Sequence, residues 1–208
     1  AGIAVDINPI TEDKMGPLAE YLESAEQYLK EKAAEKKLES VRQTASENTD
    51  GSAEKEEQLK KNNILLGLTD VTGEGIIVTI KDNNNVSTDS TIIDPSYYLV
   101  HYGYLLKIVN ELKNAGAEAI SINDQRLVST SSITCDGNVI SVNGEKISSP
   151  FIIKAIGNAS FINSALSRPG GTVEYYNSYT PTSIKQSNNV TIKKYTGVIN
   201  SKYIQYAE

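Results

Sequence analysis

One histidine, one cysteine and three arginines are a thin inventory for covalent chemistry in a chain of 208 residues. His101 acting as a general base needs an acid to orient it and a nucleophile to deprotonate. No serine or cysteine motif provides that nucleophile. The expected role of His101 is to open a helix and make a local hydrogen bond. A metal site would have to rest on carboxylates, which suit hard cations with several oxygen ligands. Asp82, Asp89 and Asp94 border a polar loop but lack an EF-hand pattern. Cys135 stands in strand alternation beside Asp136-Gly137 and reads as a buried structural thiol. Being alone, it closes no intrachain disulfide. Gly73-Glu74-Gly75 precedes a strand, whereas a dinucleotide fingerprint follows one, so it reads as a sharp turn into that strand. Gly170-Gly171 has no Lys-Ser or Lys-Thr pair after it and reads as a helix stop. No catalytic residue, cofactor site or metal ligand set emerges, and the expectation is a non-enzymatic protein.

One polar set stands apart. Asn110, Glu111, Asn123, Gln125 and Arg126, together with His101, form the candidate ligand or partner surface. The competing reading is structural bracing: an Asn on a helix face usually bonds to nearby backbone, and Arg126 would pair with a carboxylate to hold the loop after Asn123. A net charge of −6 argues against nucleic acid, which needs a basic face for its phosphates. No run approaches the ~18 apolar residues of a membrane span. The hydrophobic fraction, 39%, is low for a wholly globular chain, so a segment outside any core is expected.

The elements that must position these residues centre on 105–126, LLKIVNELKNAGAEAISINDQR. Leu105, Ile108, Val109 and Leu112 recur at helical spacing and make one apolar stripe, leaving Lys107, Glu111 and Lys113 toward water. Gly116 suits the left-handed position that ends a helix. Ile120 and Ile122 then share one face of a short strand. Before this unit, residues 1–16 form a leader and 17–45 a long helix with a partial heptad seam at Leu18, Leu22, Ala25 and Leu29. A second helical run covers 54–66, a strand 76–81 and a long polar loop 82–95. After it, Asp136-Gly137 and Asn143-Gly144 punctuate a three-stranded meander. A strand at 151–156 follows, then a short helix capped by Asn158 or Ser160, with Phe161, Ile162, Ala165 and Leu166 facing inward. Residues 172–179 and 190–195 read as two more strands. The fold class is α+β: a mixed or antiparallel sheet with helices on one face, ferredoxin-like βαβ elements and a β-meander. The expected division is 1–62, leader and helical stalk, and 63–208, globular domain.

The stretch VNELKNAGAEAISINDQRL, residues 109–127, resembles a bacterial family of unknown function, domain of unknown function 881. Its members in spore-forming Gram-positive bacteria are often labelled division initiation proteins. Similar stretches are GEGIIVTIKD at 73–82, SSITCDGNVISVNG at 131–144, SSPFIIKAIGN at 148–158 and the closing KYIQYAE, so the resemblance covers about 64–208. Family members tend to carry an aspartate just before the Leu105 position, where this chain has Tyr104; no role of that acid transfers. The family offers no catalytic residues to carry over. Its usual layout implies a single amino-terminal membrane span, a coiled coil and this domain outside the cytoplasmic membrane. The resemblance therefore implies the extracytoplasmic part of a single-pass cell-membrane protein of the envelope, its anchor absent from this chain. The heptad seam carries the expectation of homo-oligomers through the 17–45 helix, against a helix that packs on its own domain, and the resemblance implies envelope, division or sporulation proteins as partners. The alternative expectation is a small-ligand or wall-fragment binding domain, with the 82–95 loop over a site near His101, Asn123 and Arg126.

Overall fold

A computed structural model describes residues 29, 32–33, 36–37, 52–83, 95–137, 139–199, 202–205 and 207. The seam of the expected 17–45 stalk lies outside these residues apart from Leu29, as does most of the 82–95 loop; Leu29, Lys32, Ala33, Lys36 and Lys37 are helical and exposed. Two compact units divide the chain, Ala1–Leu59 and Lys60–Glu208, and the architecture below is that of the second. Helix α1, Ser52–Leu65, spans the division and carries no apolar stripe.

Strand β1, Val71–Ile80, starts five residues earlier than its apolar run suggests. Gly73-Glu74-Gly75 is part of it, not a turn leading into it. The pairing with the last strand slips between Gly73 and Gly75, a bulge that accommodates the glycines. A Cβ on Gly75 would lie 1.9 Å from the carbonyl oxygen of Ala155, so the strands meet there at a distance that a side chain forbids.

Helix α2, Tyr102–Asn114, buries Tyr104, Leu105, Ile108, Val109 and Leu112, the expected stripe extended by one aromatic. Its end is a Schellman motif: the Gly116 N–H donates to Lys113 O (3.1 Å) and the Ala117 N–H to Leu112 O (2.9 Å), with Gly116 at φ 80°. Strand β2, Ala119–Ile122, is buried on both faces. The two-residue strand β3, Gln125–Arg126, folds back on it through Asn123 and Asp124, both at positive φ.

The meander comprises β4 (Ile133–Asp136), β5 (Val139–Val142) and β6 (Glu145–Ile147), antiparallel throughout. Asn143-Gly144 forms the tight turn the sequence predicts, at φ 56° and 85°. Cys135 is exposed, contrary to expectation. It lies on edge strand β4 opposite Ile140; the central residue is covered and the edge residue is not.

Strand β7, Phe151–Ile156, leads to α3, Ala159–Leu166, where Asn158 Oδ1 accepts the Phe161 N–H (2.9 Å). Ile162 and Leu166 face the core with Ala159, while Phe161 points to solvent, one residue off the expected stripe. Residues 172–179 are not a strand. Helix α4, Thr172–Asn177, occupies them, and Glu174 Oε2 accepts the Gly170 N–H (2.8 Å) at its start. Strand β8, Thr182–Ile192, is longer than the short Val190 run suggested, because SIKQSN pairs with β1 along an edge where polar side chains are tolerated.

The main sheet has order β3-β2-β7-β1-β8, and every neighbouring pair is antiparallel. With β3 and the meander set aside, the chain runs β1-α2-β2, β7-α3-α4-β8 in spatial order β2-β7-β1-β8, the ferredoxin-like split βαβ arrangement. One core lies between the sheet, the helices and the meander, built on Ile76, Val78, Ile80, Leu105, Ile108 and Ile153 among others. A smaller cluster, Ala119, Ile156, Val190 and Ile192, lies on the opposite face of the sheet.

Candidate ligand-binding cleft

The start of α2 carries the site. His101 is its N-cap, in extended backbone with no capping bond from its side chain. Its Nε2 instead contacts the Ser96 carbonyl at 2.9 Å, the local hydrogen bond that the sequence predicts. That carbonyl belongs to the 3₁₀ turn Pro95–Tyr98. Between this turn, the first turn of α2 and helix α4 lies a cleft of about 400 Å³, lined by Ser96, Tyr97, Leu99, His101, Gly103, Tyr104, Tyr175, Tyr176 and Tyr179. The walls are tyrosine rings packed on one another. Tyr104 and Tyr176 stack with centroids 4.1 Å apart, Tyr175 meets Tyr176 edge-on at 5.0 Å, and Tyr97 leans on Tyr179 at 5.9 Å. Tyr97 and Tyr175 remain 57% and 60% exposed, so their rings are open to a ligand.

The back of the cleft is fixed by chemistry on α2. Tyr104 is buried, its hydroxyl bonded to Thr182 Oγ1 at 2.9 Å, and burial raises its pKa above the usual phenol value, so the hydroxyl keeps its proton. Lys107 Nζ donates to the Tyr176 hydroxyl (3.1 Å) and sits 5.1 Å from that ring's centroid. Glu111, expected to face water, is drawn inward: its side chain is 14% exposed. Its Oε1 accepts from Arg168 Nη2 (3.0 Å) and from the Thr172 hydroxyl, while Oε2 is buried without a partner. One carboxylate on α2 thus holds both Arg168, in the link from α3, and Thr172, the first residue of α4, and so sets where Tyr175, Tyr176 and Tyr179 stand.

The expected site residues fall into three groups. His101 lies in the cleft, and Glu111 braces its wall. Asn110 is exposed on α2. Asn123 is a structural clamp at φ 43°: its side chain donates to Ser148 O and Pro150 O (3.4 and 3.2 Å) and accepts the Ile152 N–H (2.7 Å). Gln125 pairs with Ile122 in the sheet, and Arg126 lies opposite Ser121 on the helix-free face. Among the described residues no carboxylate pairs with Arg126. The polar set therefore is not one site: α2 and the β2–β3 turn face different sides of the sheet. The tyrosines are not among the residues the sequence singles out, although twelve tyrosines against two phenylalanines and no tryptophan is a skewed usage. Seven of the twelve sit in three short runs, SYY at 96–98, HYGY at 101–104 and EYYNSY at 174–179.

This domain matches the family described as "Bacterial protein of unknown function (DUF881)" over residues 58–205. The chain belongs to that family. Among curated relatives it is similar to the UPF0749 protein YlxW of Bacillus subtilis (strain 168), 31% identical over 138 residues, covering 66% of this chain and 58% of that protein. The UPF0749 protein Rv1825 of Mycobacterium tuberculosis is 34% identical over 134 residues, covering 61% of this chain and 41% of the relative. The match thus spans roughly half the length of these DUF881-related proteins. A solved structure, the crystal structure of an uncharacterized conserved protein from Mycobacterium tuberculosis, superposes with TM-score 0.58 and 25% identity, covering 72% of this chain and 99% of that one. The α+β architecture of the DUF881 domain is shared with it.

Proposed function

We propose that this DUF881 domain is a recognition module rather than an enzyme, and that the tyrosine cleft takes a neutral, ring-bearing ligand such as a glycan fragment of the cell wall. The observation that carries the reading is the lining itself: stacked and exposed tyrosine rings with hydroxyls and one imidazole, and, among the described lining residues, no carboxylate or ammonium. Such a surface offers apolar faces for the C–H side of a sugar ring and polar tips for its hydroxyls. It offers no acid–base pair of the kind glycoside hydrolysis requires, where two carboxylates flank the bond. The envelope setting rests on the family's layout, a membrane anchor followed by a helical stalk, with the domain held outside the membrane and oligomerised through that stalk.

Titration of the full chain with soluble N-acetylglucosamine oligomers, a neutral glycan of the wall type, followed by NMR, tests the ligand claim. Saturable shifts at Tyr97, His101, Tyr175 and Tyr179 are expected, and Tyr175→Ala should weaken binding about tenfold, in line with a stacking contact of ~1–1.5 kcal/mol. No saturable change at millimolar fragment would refute it. Light scattering on the full chain and on residues 63–208 tests the stalk. If both are monomers at high micromolar concentration, oligomerisation through the helix is wrong.

A further inference from the structure

A second polar feature is independent of the cleft and lies on the opposite face of the sheet. Register places Lys185, Ile77, Lys154, Ser121 and Arg126 in one row across β8, β1, β7, β2 and β3. At the β3 end of this row Arg126 is 4% exposed and Ser121 fully buried. Arg126 Nη1 and Ser121 Oγ have no hydrogen-bond partner. The row's other inner charge is already neutralised, since Lys154 Nζ pairs with Asp124 Oδ1 at 2.6 Å. The turn after α1 closes over the guanidinium: a Cβ on Gly67 would stand 3.6 Å from Arg126 Nε and 2.7 Å from Val128 Cγ1. Gly67 is held there at φ 77°, its carbonyl accepting the Tyr195 N–H (2.8 Å).

A guanidinium does not escape the cost of burial by losing its proton at neutral pH, and leaving its donors unmade is costly. Burial lowers the Arg126 pKa, and no ion pair of its guanidinium is found among the described residues. Two unpartnered donors, one of them charged, thus belong to residues that face each other across β2 and β3. We infer that Arg126 and Ser121 form a receptor for one small oxyanion, a carboxylate or phosphate group, admitted by displacement of the Gly67 turn. The planar fork of arginine matches two oxygens of such a group, and the Ser121 hydroxyl supplies a further donor. A neutral acceptor would satisfy the hydrogen bonds but leave the charge unbalanced.

The test is an NMR titration of the full chain with sodium acetate and with sodium phosphate, against sodium chloride at matched ionic strength. The expected result is a saturable shift of the Arg126 Nε–H and of the Gly67 and Ser121 amides with acetate or phosphate and none with chloride. Ser121→Ala should lower the affinity about tenfold, the worth of one charge-assisted hydrogen bond. Arg126→Lys should weaken it further by removing the fork, and Arg126→Met should abolish the shift. Identical spectra in all three salts would overturn the inference. So would shifts that persist unchanged in Arg126→Met. Glycan binding at the tyrosine cleft is read at different residues, so the two proposals fail separately.

Discussion

Replacing Tyr176 with alanine removes the keystone of the cleft, and its cost follows from the contacts that the ring makes. The ring stacks on Tyr104 at 4.1 Å, a contact worth about 0.5–1.5 kcal/mol beyond area burial. Lys107 lies 5.1 Å from its centroid, adding about 0.5–1 kcal/mol at a partly exposed site. The ring is half-buried against the core, so the apolar loss is about half the ~3–5 kcal/mol of truncating a fully buried aromatic. These terms overlap, and a total near 2–3 kcal/mol is expected. For a domain of this size that lowers the melting temperature by about 5–10 °C. Urea denaturation followed by far-UV circular dichroism reads the difference directly, with Tyr175→Ala as the control. Tyr175 is 60% exposed, so its replacement should cost under about 1 kcal/mol while still removing a ligand-facing ring. A Tyr176→Ala loss below about 1 kcal/mol, or equal losses for both variants, would refute the claim that Tyr176 anchors the wall and Tyr175 only lines it.

Other outcomes follow from the same geometry. Glu111→Ala should cost about 2–3 kcal/mol in denaturation, because it removes a charge-assisted bond to Arg168 and the bond from Thr172, and Glu111→Gln should recover part of it. Gly75→Ala should destabilise by about 3 kcal/mol or fail to accumulate as folded protein, since its Cβ would meet the Ala155 carbonyl; a wild-type denaturation midpoint would contradict the close approach. Asp70 has its pKa lowered by the Lys194 backbone N–H and by Lys193, so its contribution is present above its unfolded value of about 3.8 and is lost as pH falls through the lower folded value. Asp70→Asn should therefore flatten the acid limb of the stability–pH curve in that window, and superposable acid limbs would count against the pairing.

Helix α2 and its surroundings were legible because each signal is local. The stripe Leu105, Ile108, Val109 and Leu112 needs one buried face, the Gly116 stop needs one left-handed residue, and Asn143-Gly144 needs one tight turn. Where a residue's environment is set by a partner distant in sequence, local signals point elsewhere. Thr172–Asn177 is rich in β-formers yet helical, because Glu111 and Tyr104 on α2 capture Thr172 and Tyr176. Polar β8 is a strand because β1 offers it an edge. Cys135 is exposed because an edge strand leaves it uncovered.

The sequence by itself determined the α+β class, the central helix with its stop, the meander, and membership of a family marked by AGAEAISIN. These depend on periodicity and turn chemistry, which act over a few residues. The tertiary structure alone decided that His101 and Arg126, close in the polar set, lie on opposite sides of the sheet. It alone gathered tyrosines from 97, 104 and 175–179 into one cleft. The reason is that a strand's alternation sends neighbours to opposite faces, while a split βαβ topology folds distant runs onto the same helix.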